Sequence, residues 1–402
     1  MELRKGGALS LPKGYKQTEV GEIPSDWDIK KFHEVTNAIT CGVAATPIYV
    51  QESVGMPFLS ASHVQAGRVI YDDYKFITKE LYHQITKNNK PEKGDILYTR
   101  VGAGIGQAGV IDFDLDFAIY VSLTLIKVKS NIDSNFIKFL LNSNYYQFLA
   151  KNGQFAGGGV QNLNVNIVRE FPIPIPTKAE QTAIATALSD ADAYISALEK
   201  LIEKKRNIKQ GAMQQLLSST GSDGKPKKGW VVKKLGEIAE IRKGQLITEA
   251  TAVNGEIPVI AGGKKPSYFH NQANRFNKTI TVSGSGANAG FVAFFETPIF
   301  ASDCSTIEEG STYSLKYIFY NLQLLQNKIY KAQTGGAQPH IHPSDLAPFE
   351  ILFPELDVQN AISGTLTDMD TEIELLEKKL SKSKMLKQGM MQELLTGKIR
   401  LI

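Results

Sequence analysis

"EQTAIATALSDADAYISALEKLIEKKRNIKQGAMQQLL" occupies residues 180–217, and "VQNAISGTLTDMDTEIELLEKKLSKSKMLKQGMMQELL" occupies residues 358–395. The two align without a gap at an offset of 178, which sets Gln181 on Gln359, Asp192 on Asp370 and Lys209 on Lys387. A match of this length is an internal repeat. Ile184, Leu188, Ala191, Ile195, Leu198 and Ile202 step by 4, 3, 4, 3, 4, and Ile362, Leu366, Met369, Ile373, Leu376 and Leu380 repeat the spacing. That is a heptad seam on a long helix. Pro176 and Pro354 stand just before the two segments, where a missing N–H costs no helical bond. Gly221 and Gly397 stand near their ends. At ~1.5 Å per residue, roughly 40 residues make a rod of about 60 Å. One such helix alone leaves its apolar stripe uncovered. Two matched ones can cover each other, and the long intervening segment favours an antiparallel pairing.

The repeat continues upstream. "GGGVQNLNVNIVREFPIPIP" (157–176) parallels "GGAQPHIHPSDLAPFEILFP" (335–354), and "YTRVGAGIG" (98–106) parallels "VSGSGANAG" (282–290). The only two tryptophans, Trp27 in "IPSDWDIKKF" and Trp230 in "PKKGWVVKKL", open equivalent segments. The order is a tryptophan, a variable body, a glycine-rich loop, a proline segment and a long helix, written twice. This predicts an α+β chain with a pseudo-two-fold internal repeat. Two globular domains, 24–175 and 228–353, are separated by a pair of long antiparallel coiled-coil helices. The helical spacers fall at 176–221 and 354–397, with the helices proper near 177–217 and 355–395.

Composition narrows the class. The chain has 402 residues, enough for two or three domains. No stretch is apolar over the ~20 residues that a membrane span needs. "MELRKGGALSLPKGYKQ" lacks a signal-peptide core. Cys41 and Cys304 fall in no metal-ligand spacing, so a cytoplasmic, reduced protein is expected. A net charge of +4 permits a nucleic-acid partner without requiring one.

Catalytic motifs fail on inspection. "GIGQAG" (104–109) has dinucleotide-loop spacing, but a helix must begin there for its N-terminus to meet a pyrophosphate. The following "VIDFDLDFAIYVSLTLIKV" is β-branched and aromatic and reads as strands. No G-x-x-x-x-G-K-[ST] or H-E-x-x-H occurs. His340 and His342 in "PHIHP" have no companion ligands. Asp370, Glu377 and Lys379 in "DTEIELLEKK" loosely imitate a nuclease triplet, but on the heptad helix they form its charged face.

Variable body, long helix, variable body, long helix: this order resembles the specificity (S) subunit of type I restriction–modification systems. "GYKQTEVGEIPSDWDIKKF" (14–32), "GDILYTRVGAGIG" (94–106), "KTITVSGSGANAGFV" (278–292) and "LKQGMMQELLTGKIRL" (386–401) are similar to segments of that family. The resemblance implies that each body is a target recognition domain reading half of a bipartite double-stranded DNA sequence. It implies helices that act as a ruler and dock methyltransferase (modification) subunits, with restriction subunits joining the complex. It implies no catalytic residue and no metal or cofactor in this chain. S-adenosylmethionine, ATP and magnesium belong to the partner subunits.

Candidates for the DNA-reading surface follow from side-chain chemistry. In the first body they are Arg100, suited to a bidentate contact with guanine, then Gln161, Asn162 and Asn164, then Ser60, Ser62 and His63. In the second they are Lys264, Lys265, Ser283, Ser285, Asn288, Gln338 and His340. Gly284 aligns with Arg100, a difference that two different half-sites would require. Two other classes remain open: a coiled-coil scaffold without a DNA role, and a standalone enzyme with an unfamiliar site.

Overall fold

The computed structural model describes residues 12–44, 47–157, 160–218, 226–335 and 338–401. Four helices organise it: α1 (Ser134–Leu141), α2 (Lys178–Leu217), α3 (Leu315–Leu324) and α4 (Leu356–Leu394). Gly221 lies outside the described residues. The chain divides into two compact units, residues 1–197 with 380–402, and residues 198–379. Each unit therefore combines one body with one end of α2 and one end of α4.

In the first unit a six-stranded sheet runs in the order Thr36–Cys41, Leu123–Val128, Ile96–Thr99, Ala108–Val110, Arg68–Val69, Val64–Gln65. Its central strands, "ILYT" and the start of "LTLIKV", are buried, as β-branched and aromatic residues between two covered faces should be. A second sheet sets Ala118–Ile119 parallel to Gly55–Leu59, which pairs antiparallel with Lys75–Thr78. An antiparallel ribbon of Asp28–Lys31 and Pro172–Ile175 closes the body.

The second unit repeats this plan. Arg242–Lys243, Cys304–Glu308, Thr279–Ser283 and Val292–Phe295 follow each other in the same order. Phe300–Ala301 runs parallel to Ile257–Ile260, which pairs antiparallel with Tyr268–His270. Val231–Lys234 and Glu350–Phe353 form the closing ribbon. The bodies match poorly in sequence yet share one topology, because a sheet needs apolar alternation and not particular residues.

The repeated helices explain their own repetition. Ile184 and Leu188 of α2 enter the first core together with Leu394 and Leu395. Ile362 and Leu366 of α4 enter the second core together with Met213 and Leu217. So the start of each helix packs on its own body, and the octet that ends it, "QGAMQQLL" or "QGMMQELL", packs on the body of the other repeat. Within each unit the two helix segments run antiparallel. Asp192 pairs with Lys387 in the first unit at 2.6 Å. Lys209 pairs with Asp370 at 2.5 Å and Lys205 with Glu372 at 2.6 Å in the second. Along the seam Ile195, Leu198, Ile202 and Ile373 are also buried, while Ala191, Met369, Leu376 and Leu380 are half-buried. Arg206 reaches Glu377 at 2.5 Å, so the charged face of α4 carries interhelical ion pairs.

Candidate nucleic-acid interface

One glycine-rich loop occurs in each body with the same backbone bonding. In the first, Thr99 N donates to Gln107 O at 2.8 Å, Gly106 N to Thr99 O at 2.9 Å and Arg100 N to Ser122 O at 2.9 Å. In the second, Ser283 N donates to Phe291 O at 3.0 Å, Gly290 N to Ser283 O at 2.7 Å and Gly284 N to Asp303 O at 2.9 Å. Gly106 and Gly290 both take positive φ, at 91° and 81°, which explains the glycine at the end of each turn. The loop is thus a framed turn and not a phosphate cradle opening a helix.

In the first body this loop gathers the three candidate patches. Arg100 O accepts from Leu163 N at 2.8 Å, drawing in the strand Val160–Leu163. Ser122 Oγ accepts from Ala61 N at 2.9 Å, drawing in Ser60, Ser62 and His63. Arg100 itself is 9% exposed. It donates from Nε to Leu163 O at 3.0 Å, from Nη1 to Val121 O at 3.2 Å and from Nη2 to Asn162 Oδ1 at 2.8 Å. Three of its five N–H donors are therefore engaged inside the body, and it ties the strand to the loop. Asn164 caps a short helix by accepting from Asn166 N at 2.9 Å. His63 is buried, with Nδ1 accepting from Ser60 N at 3.0 Å, and Ser60 Oγ lies 3.0 Å from Ser62 Oγ. Ser62 and Asn162 are exposed. Gln161 stands in the strand opposite Ala156.

In the second body three loops converge. Gly286 N donates to Pro339 O at 3.0 Å and Ile341 N to Gly284 O at 2.9 Å, joining the glycine loop to residues 338–341. Ser283 Oγ donates to Gly263 O at 3.4 Å, joining it to Lys264 and Lys265. Ser285 donates to the Asp303 carboxylate. Gly284 leaves no room for a side chain, since a Cβ there would lie 2.6 Å from Asp303 Oδ1. Lys264, Lys265 and Gln338 are exposed, Asn288 and His340 half-buried, and Ser283 buried. The His340 and His342 rings stack with centroids 6.2 Å apart. Among the described residues, no group of three histidine, cysteine or acidic side chains could hold a metal ion.

Two kinds of matched residue have structural roles that the sequence reading did not assign. Gln181 and Gln359 are 1% and 0% exposed. Their Oε1 atoms accept from the residues that cap α1 and α3, Asp133 N at 2.9 Å and Ser314 N at 3.0 Å. Their Nε2 atoms donate to Pro176 O at 3.0 Å and Pro354 O at 2.8 Å. Lys387 and Lys209 also face aromatic rings from α1 and α3, Phe139 at 5.5 Å and Tyr320 at 5.1 Å. The signal was available: a glutamine matched across the repeat five residues after a matched proline. Beside each lysine lies a groove, of about 560 Å³ in the first unit and about 630 Å³ in the second. Lys384, Lys387, Gln388 and Met391 line the first, and their counterparts Arg206, Lys209, Gln210 and Met213 line the second.

Residues 24–210 and 227–383 each match the family described as type I restriction modification DNA specificity domain. A type I restriction enzyme MjaVIII specificity subunit from Methanocaldococcus jannaschii is 24% identical over 96% of this chain and 96% of its own length. The crystal structure of a type I restriction–modification S subunit from M. genitalium matches with a TM-score of 0.65 at 17% identity, covering 96% of this chain and 98% of that one. A chain from a structural study of complex assembly in the type I R-M system matches with a TM-score of 0.59 at 14% identity, covering 94% and 99%. No helix among the described residues is long and apolar enough to cross a membrane.

Proposed function

The chain belongs to the type I restriction modification DNA specificity family and carries that domain twice, and from this premise we propose that its two bodies, residues 24–175 and 228–353, each read one half of a bipartite DNA target. The observation that carries the reading is the contrast between frame and loops. One topology and one turn geometry are built twice, while the exposed polar side chains around the turn are Ser62 and Asn162 in one copy and Lys264, Lys265 and Gln338 in the other. Identical frames with different side chains suit two half-sites of different sequence.

Ser62, Asn162, Lys264, Lys265 and Gln338 have the exposed polar groups that base or phosphate contacts need. Arg100, Ser60, His63, Asn164, Ser283 and Ser285 hold those loops in shape. The duplicated grooves suit two copies of one methyltransferase partner, since each presents the same helix face. S-adenosylmethionine is held by those modification subunits. ATP and magnesium are used by restriction subunits. The complex works in the cytoplasm.

Genome-wide mapping of methylated adenines, with and without the gene, tests the reading. Loss of methylation at one bipartite motif is the expected result. An unchanged map together with assembly of methyltransferase subunits favours a scaffold without a DNA role. S-adenosylmethionine binding by the isolated chain favours a standalone enzyme.

A further inference from the structure

The first body holds a buried lysine with no ion-pair partner of its own among the described residues. Lys138 on α1 is 9% exposed, and among the described residues its ammonium has neither an ion-pair nor a hydrogen-bond partner. Its Nζ rests over the Phe139 ring at 3.9 Å. The nearest acid on α2, Asp192, is already paired with Lys387 at 2.6 Å. A buried cation without a counter-ion is costly, and proteins that keep one generally give it an anion. Burial pulls the ammonium down from the usual lysine value to about 8, with Lys387 and Arg68 acting in the same direction and Asp192 and Asp112 against it.

The lysine does not face a closed core. It lines a cavity of about 410 Å³ with Arg68, Lys93, Asp112, Ser189 and Asp192. Lys93 is paired with Asp114 at 2.9 Å, as Asp192 is with Lys387, which leaves Arg68 and Lys138 against Asp112. Arg68 is exposed, and its Nη1 donates to Ser196 Oγ of α2 at 3.4 Å. Arg68 also ends a two-residue hairpin turn in which Ala66 and Gly67 both take positive φ, 49° and 79°. That hairpin continues directly from Ser60, Ser62 and His63, and Ile70 N donates back to His63 O at 2.7 Å.

We propose that Lys138 and Arg68 form a seat for one backbone phosphate of the bound DNA. A phosphodiester oxygen pair meets both a forked guanidinium and a point ammonium, and the hairpin links the seat to the candidate reading patch. Among the described residues the Lys138 position has no basic counterpart in the second body. By the equivalence of the capping residues Asp133 and Ser314, the counterpart of Lys138 on α3 is Phe319, which packs on Phe294 with centroids 5.3 Å apart. The contact is therefore peculiar to the first half-site and carries no sequence information. The proposal rests on the DNA-reading function argued above.

The test uses the full chain assembled with its methyltransferase subunits, on its own target duplex and on an unrelated duplex, over a range of salt. Arg68→Ala and Lys138→Met should weaken both duplexes alike, by about 3- to 10-fold, and each should lower the salt slope by up to about one, the two together by no more than that. The methylated motif should stay the same. Unchanged affinity and slope in both variants would overturn the seat while leaving target discrimination by the wild-type complex, and hence the functional reading, intact. Failure of the wild-type complex to discriminate the target overturns the reading itself. Loss confined to the target duplex would make these residues base readers, and dissociation of methyltransferase subunits from Lys138→Met would make the anion a partner's carboxylate. Either overturns the phosphate seat. If millimolar inorganic phosphate stabilises wild type but not Lys138→Met, and the salt slope is unaffected, the site takes a free oxyanion instead.

Discussion

Lys387 of α4 ion-pairs with Asp192 of α2 at 2.6 Å, and the same pair recurs with the helices exchanged, Lys209 of α2 with Asp370 of α4 at 2.5 Å. Each member of the first pair lies 178 positions from its counterpart in the second. Exchange of this kind is possible only between antiparallel helices, because parallel ones would set a residue opposite its own counterpart. Each lysine also lies over an aromatic ring of a body, so both long helices and α1 or α3 meet at one node.

Reversing one charge of a node should therefore destabilise the protein, and reversing both should restore most of the loss. Lys387→Glu costs about 1–2 kcal/mol, since it sets two acids together and removes the contact with Phe139. Lys387→Glu with Asp192→Lys recovers the ion pair but not all of the ring contact. Thermal unfolding of the two single variants and the double variant gives the coupling energy. Additive losses would show that the pair contributes nothing.

The buried glutamines should be among the least replaceable residues of either helix. Gln181→Leu leaves the Asp133 N–H and the Pro176 carbonyl without their partner, and Gln359→Leu does the same to Ser314 and Pro354. Each lost pair of bonds costs about 2–4 kcal/mol in a buried site. Denaturant unfolding should give similar losses for the two variants. Hydrogen exchange should speed up at Asp133 in one and at Ser314 in the other.

The parts legible in the sequence were those fixed by local periodicity. The seam from Ile184 to Ile202 announces a helix because every step obeys a 3.5-residue repeat, and the second copy removes any doubt about register. The bodies were legible as copies only at the glycine loop and the proline segment, because "ILYT" and "TITVS" need share only buried β-forming character to fill the same strand. The role of Arg100 depends on Val121, Asn162 and Leu163, which come to it from 21 to 63 positions away. A side chain's suitability for guanine is visible in one letter. Whether its donors are already engaged is set by the tertiary fold. Ser122 and Asp303 escaped notice for the same reason.

Lys138 should leave a signature in the pH dependence of stability. Its ammonium titrates near 8 in the folded chain and at the usual 10.5 when unfolded. Between those values the unfolded chain binds more protons, so stability rises with pH. Below pH 8 both forms are protonated, and the cost of burying the charge is fully present. Lys138→Met removes that cost. It should be more stable than wild type at pH 7 by on the order of 3 kcal/mol, with the gap shrinking above pH 8 and closing only above about pH 10.5. A constant difference across that window would show that the lysine keeps its ordinary affinity for protons.

Exchange of residues 24–175 for the first body of another family member should change one half of the methylated motif and leave the other half as it was. Each body closes on its own ribbon, Asp28–Lys31 with Pro172–Ile175 in the first and Val231–Lys234 with Glu350–Phe353 in the second. The exchange therefore cuts no strand pairing within a body. Methylation mapping of the hybrid reads both halves at once. Loss of both halves would mean that the bodies do not read independently.

If the helix pair also sets the spacing between half-sites, lengthening it should widen the undefined gap in the DNA motif. The two nodes dictate how this must be done. Asp192 to Lys209 along α2 and Asp370 to Lys387 along α4 are equal steps of 17 residues. An insertion in α2 alone makes those lengths unequal, so one node must break, and the single variant should lose stability or assembly. A four-residue insertion after Ser196 together with one after its counterpart Glu374 keeps the steps equal. Four residues add about 6 Å and turn a helix through about 400°, close to a full circle, so the seam still faces its partner with a local stutter. Base pairs are spaced by ~3.4 Å, and the paired insertion therefore corresponds to roughly one or two of them. Methylation mapping should find both half-sites unchanged and the gap longer by that amount. A paired two-residue insertion rotates Leu198 and Leu376 off the seam and should abolish activity. Full activity of the four-residue variant at the original spacing would show that the helices do not measure the DNA.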